Sequence, residues 1–322
     1  MWPFTKSKKE KRPMPRTVGS VSKVGTRMIR VSELDFFGSY SESANSQFTI
    51  AWSDSDSKQG IGGFRESGKG TYVLIETGKV LLNGKVQRPN DGNVANNGNF
   101  IINDWMFGEG LRGTFYAFDK TGAVRIKHLF RANLYNNGIS QNGRYAVCQC
   151  ANSDSVDGGA LALFDLDAGA LLWKKPPETG WADSYSFDCN NNILFLHYRD
   201  RGSFRYSFAG GFLDKEALEK QRIENATGFE LSSLARSRFR KIQAALTAEA
   251  AEEIFLLFNK AIEKGFAGYP NEEASVHRSI GEIHEALGRI EEAIVSYETA
   301  LRINPKVGLS RRLTVLKKNK GK

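Results

Sequence analysis

Apolar residues recur with period two from about Ser39 to Phe212 and with helical spacing from there to the end of the chain. In the first stretch, one apolar segment appears four times: QFTIAW at 47–52, NFIIND at 99–104, RYAVCQ at 144–149 and ILFLHY at 193–198. With Phe48, Phe100, Tyr145 and Ile193 taken as equivalents, the copies lie 45 to 52 residues apart. A second segment follows each, TYVLIETG, FYAFDKTG and LALFDLDAG ending at Gly78, Gly122 and Gly169, then FRYSFAGG at 204–211. The alternation predicts strands, and the Asn-Gly pairs between them predict tight turns. Beyond residue 214, Ala, Leu, Glu, Lys and Arg dominate. The spacing there predicts helices near 215–225, 229–245, 248–264, 272–286, 290–303 and 307–318, with Thr247 capping the third.

Three to four strands every 45 residues or so is the spacing of propeller blades. The third copy, from Asn136 to Trp173, resembles the blade plan of WD-type repeats. That resemblance implies a small, about four-bladed β-propeller-like domain. Closure is the expectation, since open sheet edges invite unwanted pairing. The segment 17–33 is a candidate to complete the last blade; an open arc is the alternative.

In the helical part, Ile280, Gly281, Gly288, Ala293, Tyr297, Ala300 and Pro305 stand at the spacings of a helix pair. Small residues sit where helices cross, a glycine in the turn, and a proline at the stop. This segment, Ala274 to Pro305, resembles a tetratricopeptide repeat. The resemblance implies an α-helical repeat domain with a groove for a partner, and by it Ser275, Arg278, Glu282 and Glu285 would face that groove. The acids suggest an acidic groove that prefers a basic or helical partner. Leu257 to Ala261 resembles a second copy of the second helix, and the last helix is expected to cap the stack. The predicted organisation is therefore multidomain β + α: a basic tail over 1–16, the strand repeats over 17–213 and the helical repeats over 214–322.

Charge refines this picture. The net charge is +9, yet residues 1–16 hold six basic side chains against one acid, and residues 306–322 hold seven against none. The body between them is mildly acidic. Basic ends can touch nucleic acid. No apolar run nears the roughly 20 residues of a membrane span, and the first residues lack the apolar stretch of a secretion signal. A cytoplasmic location is expected. Three cysteines are too few for a disulfide framework, and Cys148 and Cys150 fall on one strand face as buried thiols.

No metal site, cofactor motif or catalytic constellation emerges. GGFRESGKGT at 62–71 approaches a phosphate loop, but TYVLI after it predicts a strand, not the helix whose amino end should face the phosphate. SDSDSKQG at 53–60 and NSDSVDGG at 152–159 read as solvated hairpin loops. The densest polar cluster, Arg88, Asn90, Asp91, Asn96, Asn97 and Trp105, reads as turn chemistry or as a binding mouth. Asn136 and Asn137 repeat the pair Asn96 and Asn97 in the next copy. The leading expectation is a non-enzymatic scaffold that captures a protein or peptide. The alternatives are an enzyme or small-ligand binder at the propeller mouth and a nucleic-acid-associated protein using its basic ends.

Overall fold

The computed structural model describes residues 20–56, 62–63, 65–107 and 110–320. The expected tail over 1–16 lies outside them. The chain divides into two compact units after Asp214.

The first unit comprises four antiparallel sheets in chain order. Sheet one holds β1 (Val21–Val24), β2 (Met28–Val31), β3 (Phe36–Glu42), β4 (Phe48–Ser53), β5 (Gly70–Glu76) and β6 (Lys79–Val86). Sheet two holds β7 (Pro89–Val94), β8 (Phe100–Asp104), β9 (Gly113–Phe118) and β10 (Val124–Phe130). Sheet three holds β11 (Leu134–Ile139), β12 (Tyr145–Cys150), β13 (Leu161–Asp165) and β14 (Ala170–Lys175). Sheet four holds β15 (Ser184–Asp188), β16 (Ile193–Tyr198) and β17 (Gly202–Ser207). The four residues aligned as equivalents, Phe48, Phe100, Tyr145 and Ile193, each open the corresponding strand. Gly78, Gly122 and Gly169 share one position of the repeat, the hairpin turn before the last strand. There φ is +79°, +86° and +64°, a region that disfavours any Cβ.

Neighbouring sheets are glued by aromatic contacts. Tyr72 meets Phe100 and Phe118 at 5.6 and 5.3 Å between sheets one and two, and Phe115 stacks on Phe164 at 5.0 Å between sheets two and three. Tyr145 lies 4.4 Å from Phe208 where sheet three meets sheet four. Phe100, Phe115 and Phe164 are fully buried, and each such burial stabilises the fold by about 1.5–3 kcal/mol.

The segment expected to complete the last sheet does something else. β1 and β2 extend sheet one through β3, and Ile29 and Val31 pack with Ala51, Val73 and Ile75. Alternation in MIRV places both apolar residues on one face, and the first sheet supplies the apolar surface they cover. Sheet four instead finishes its own edge. Ser207 N donates to Gly211 O, Leu213 N donates to Arg205 O, and Tyr206 bridges Phe212. The Asp214 carboxylate then clamps Arg205 at 2.5 Å. One face of sheet four bears Ser186, His197 and Ser203 in one hydrogen-bonded row, with Phe195 stacked on His197. Among the described residues, the sheets do not close on one another by strand pairing.

The loops expected to be solvated are anchored. Asp157 is buried, accepts from Arg131 N and pairs with Lys174 Nζ at 2.5 Å. Asp54 bridges Arg65 and Arg88 at 2.9 and 3.4 Å, and Asp56 is buried. Part of the first loop, 57–60, lies outside the described residues. Cys148 and Cys150 are both buried on β12; burial drives both thiols up, that of Cys150 to about 12.

The second unit is six helices: α1 (Lys215–Asn225), α2 (Gly228–Ile242), α3 (Ala248–Lys264), α4 (Glu272–Ala286), α5 (Ile290–Ile303) and α6 (Ser310–Lys320). Thr227 and Glu230 form a capping box at α2, and the Thr247 hydroxyl accepts from Ala250 N at α3. On α3 the fully or nearly fully buried Ile254, Phe258 and Ala261 match Ala293, Tyr297 and Ala300 on α5, 39 residues on. Gly281 on α4 lies so close to Tyr297 that a Cβ there would meet its ring at 2.5 Å. Leu309 and Leu316 bury against Ala293, Tyr297 and Ala300, so α6 covers α5. Among the described residues, no helix is long and apolar enough to cross a membrane.

Candidate functional site

The helical unit carries an open cavity of about 730 Å³ between α2, α4 and the segment leading into α6. Periodicity builds its walls. Residues four apart share a helix face, which places Arg236 with Arg240 on α2, and Arg278 with Glu282 on α4. Phe239, Ala286 and Leu309 contribute apolar surface, and Arg312 enters from α6. Of the four residues expected at the groove, Arg278, Glu282 and Glu285 line this cavity. Ser275 does not: its hydroxyl turns back to Asn271 O in the first turn of α4.

The expected acidic character is not what this arrangement produces. Arg278 Nε donates to Glu282 Oε1 at 2.8 Å. Arg312 holds Glu285 through Nη2 and Nε at 2.5 and 2.8 Å, and Tyr297 OH donates to the same carboxylate at 2.9 Å. Burial alone would push the Glu285 carboxyl up, but these donors win and hold it below its ordinary range. Both acids are therefore matched within the chain. Four arginines line the cavity against two glutamates.

Sequence reasoning missed Arg236, Arg240 and Arg312. α2 lacks the glycines that marked its neighbour as a repeat, and α6 was expected only as a lid. The available signal was the SRFRK run at 237–241, in which Arg240 stands four residues after Arg236 and so shares its face. His284, on the other side of α4, stacks on Phe255 at 4.5 Å, and burial pushes its ring pKa down. His277 is likewise pushed down by burial.

The eight residues expected at a propeller mouth are spread along the sheets. Arg88 and Trp105 share one end, where Trp105 N donates to Arg88 O and the guanidinium lies 5.8 Å over the indole. Trp105 Nε1 reaches across to Leu134 O at 2.8 Å, and Trp52 Nε1 donates to Asn90 O at 2.8 Å. Asn96 and Asn97 sit in the β7–β8 turn at the opposite end. There Asn96 Oδ1 accepts from Asn45 N and Asn97 Nδ2 donates to Asn142 O, tying three successive turns together. Asn136 and Asn137 lie on β11, not in a turn. Their counterparts are Asn90 and Asp91 on β7, because Gly138 and Gly92 occupy the same rung.

Asp91 is crowded by protein although part of its surface remains accessible. Burial raises its carboxyl to about 7, with amide donors from Gly92 and Asn137 opposing. Asn136 Oδ1 accepts from Tyr185 OH at 2.8 Å and its Nδ2 donates to Ala182 O. A cavity of about 620 Å³ opens beside these strands, lined by Trp52, Phe37, Asp54, Asn83, Lys85 and Asn90 among others. Only Asn90 of the eight lines it. Among the described residues, no group of three or more His, Cys, Asp or Glu is placed to hold a metal ion. Neither a protein-family model nor a curated protein matches the sequence.

Proposed function

We propose that this chain is a non-enzymatic interaction scaffold that holds a peptide or protein partner in the groove between α2, α4 and α6. The carrying observation is the 730 Å³ cavity itself, lined by four arginines and two glutamates with Phe239, Ala286 and Leu309 as apolar surface. Charged rims around apolar floors suit peptide capture, because apolar burial supplies affinity and the rim selects the partner. The resemblance of 274–305 to a tetratricopeptide repeat agrees with this use. In this reading the four stacked sheets are propeller-like blades forming a rigid body that carries the helical arm.

The test uses the full chain as bait in extract, comparing the native protein with the double variant Arg278→Ala, Glu282→Ala. This pair is exposed and interacts chiefly within α4, so the thermal midpoint should hold while capture falls. Capture that is unchanged at an unchanged midpoint would retire the groove.

A second reading places a small polar ligand in the 620 Å³ cavity, where Trp52 and Phe37 face Asp54, Asn83 and Lys85. A metabolite panel read by thermal shift separates the two. A reproducible shift that Trp52→Ala abolishes would favour the small-ligand reading.

A further inference from the structure

We infer that the groove selects an acidic peptide segment, with Arg240 as the residue that receives its carboxylate. This rests on the groove reading above and reverses the partner charge that Glu282 and Glu285 suggested from sequence.

Three observations carry the inference. Arg236 pairs with Glu272 and Ser232 through Nη2, yet its Nη1 is shielded from water with no acceptor in reach. That nitrogen is closed to solvent and Glu272 already balances the guanidinium, so Arg236 is a neighbour of the receiving residue and not a second receiver. Arg240, one turn on, is exposed; its Nε reaches only the Arg236 carbonyl, at 3.4 Å, and among the described residues it has no carboxylate partner. Arg278 and Arg312, by contrast, already hold their own glutamates. The unmatched charge of the groove is thus concentrated at Arg240, with Arg236 beside it.

The Arg240 guanidinium presents a forked donor to the groove, a geometry that suits a carboxylate. Phe239 and Leu309 also line the cavity as apolar surface for the flanking side chains. A basic segment would meet Arg240 with like charge and would have to displace Arg278 or Arg312 to reach either glutamate. Electrostatics therefore decides the partner class: an Asp- or Glu-bearing segment.

The experiment measures anisotropy of fluorescein-labelled decapeptides, (Glu-Ala)₅ and (Lys-Ala)₅, titrated with the full chain at fixed salt. Variants are Arg240→Gln, Arg240→Lys and, as a control for overall charge, Lys318→Gln on α6. The acidic peptide should bind and the basic one should not. Arg240→Gln should weaken binding about tenfold, as expected for a charge-assisted hydrogen bond. Arg240→Lys should recover part of that loss, and Lys318→Gln should stay near native. The inference is overturned if (Glu-Ala)₅ fails to bind, if the basic peptide binds better, or if Lys318→Gln costs as much as Arg240→Gln. Should any of these occur while Arg278→Ala, Glu282→Ala still abolishes capture from extract, the acidic partner class falls and the groove stands. If capture is also indifferent, both fall. Arg240 makes no stabilising ion pair, so its variants should melt like the native chain.

Discussion

Asn137 Nδ2 donates to Asp91 Oδ2 across 3.1 Å, and the two residues occupy the same rung of neighbouring sheets. Asn93 Nδ2 completes the link by donating to Asn137 Oδ1 at 2.8 Å, while Ser41 on β3 donates to Asn93 Oδ1. Strands β3, β7 and β11 of three successive sheets are thus joined by side-chain hydrogen bonds.

Asp91 makes that joint sensitive to pH. Its folded pKa of about 7 stands above the ordinary 3.8, so the native state binds a proton that the unfolded state releases. Stability from this group is fully present below about pH 4 and is lost as pH rises towards 7. Asp91→Asn removes the titration but keeps one acceptor oxygen for the two donors, Gly92 N and Asn137 Nδ2. Its effect on stability should therefore be more favourable at pH 8 than at pH 4, by on the order of 2 kcal/mol. Urea melts at both pH values check this, and an equal effect at the two would refute it.

Trp105 Nε1 ties sheet two to the Leu134 carbonyl of sheet three. Trp105→Phe keeps most of the ring and deletes the donor, so it should cost about 1 kcal/mol. Chemical denaturation should record that loss with an unaltered slope.

Gly281 marks the tightest approach in the helical unit. A methyl group there would meet Tyr297 Cε1 at 2.5 Å and Cδ1 at 2.6 Å, and Tyr297 is fully buried. Gly281→Ala should destabilise the α4–α5 pair by about 1–3 kcal/mol, despite the better helix propensity of Ala. A rise in the thermal midpoint would show that the ring can give way.

Glu285 is held by Arg312 and by the hydroxyl of buried Tyr297. Glu285→Ala should cost about 1–3 kcal/mol by stranding the Tyr297 donor, so any loss of capture in that variant would be confounded by loss of fold. Glu282, paired only with its own helix neighbour Arg278, should tolerate Ala within about 0.5 kcal/mol. Parallel melts of the two single variants distinguish a structural acid from a surface one.

Much of the architecture could be read from order along the chain. Strand starts at Phe48, Phe100, Tyr145 and Ile193 and helix spans such as 215–225 and 272–286 follow from local periodicity, because a strand or helix buries whichever face its own pattern makes apolar. The candidate site was only half legible. Arg278, Glu282 and Glu285 could be named because their helix carries a recognisable repeat. Arg236, Arg240 and Arg312 could not, since nothing local in α2 or α6 says which helix each will face.

What the residue order alone determined, then, is the β-then-α succession, the recurrence of strands every 45 to 52 residues and the crossing of α4 with α5 at Gly281. Only the tertiary structure decided that β1 and β2 cover the first sheet, that Asn137 answers Asp91 and not Asn97, and that the groove is lined by more arginines than acids. The reason is physical: burial and turns depend on neighbours in sequence, whereas charge matching depends on which distant side chain arrives first. Glu285 is neutralised by a residue 27 positions away, and Arg240 is left without a carboxylate.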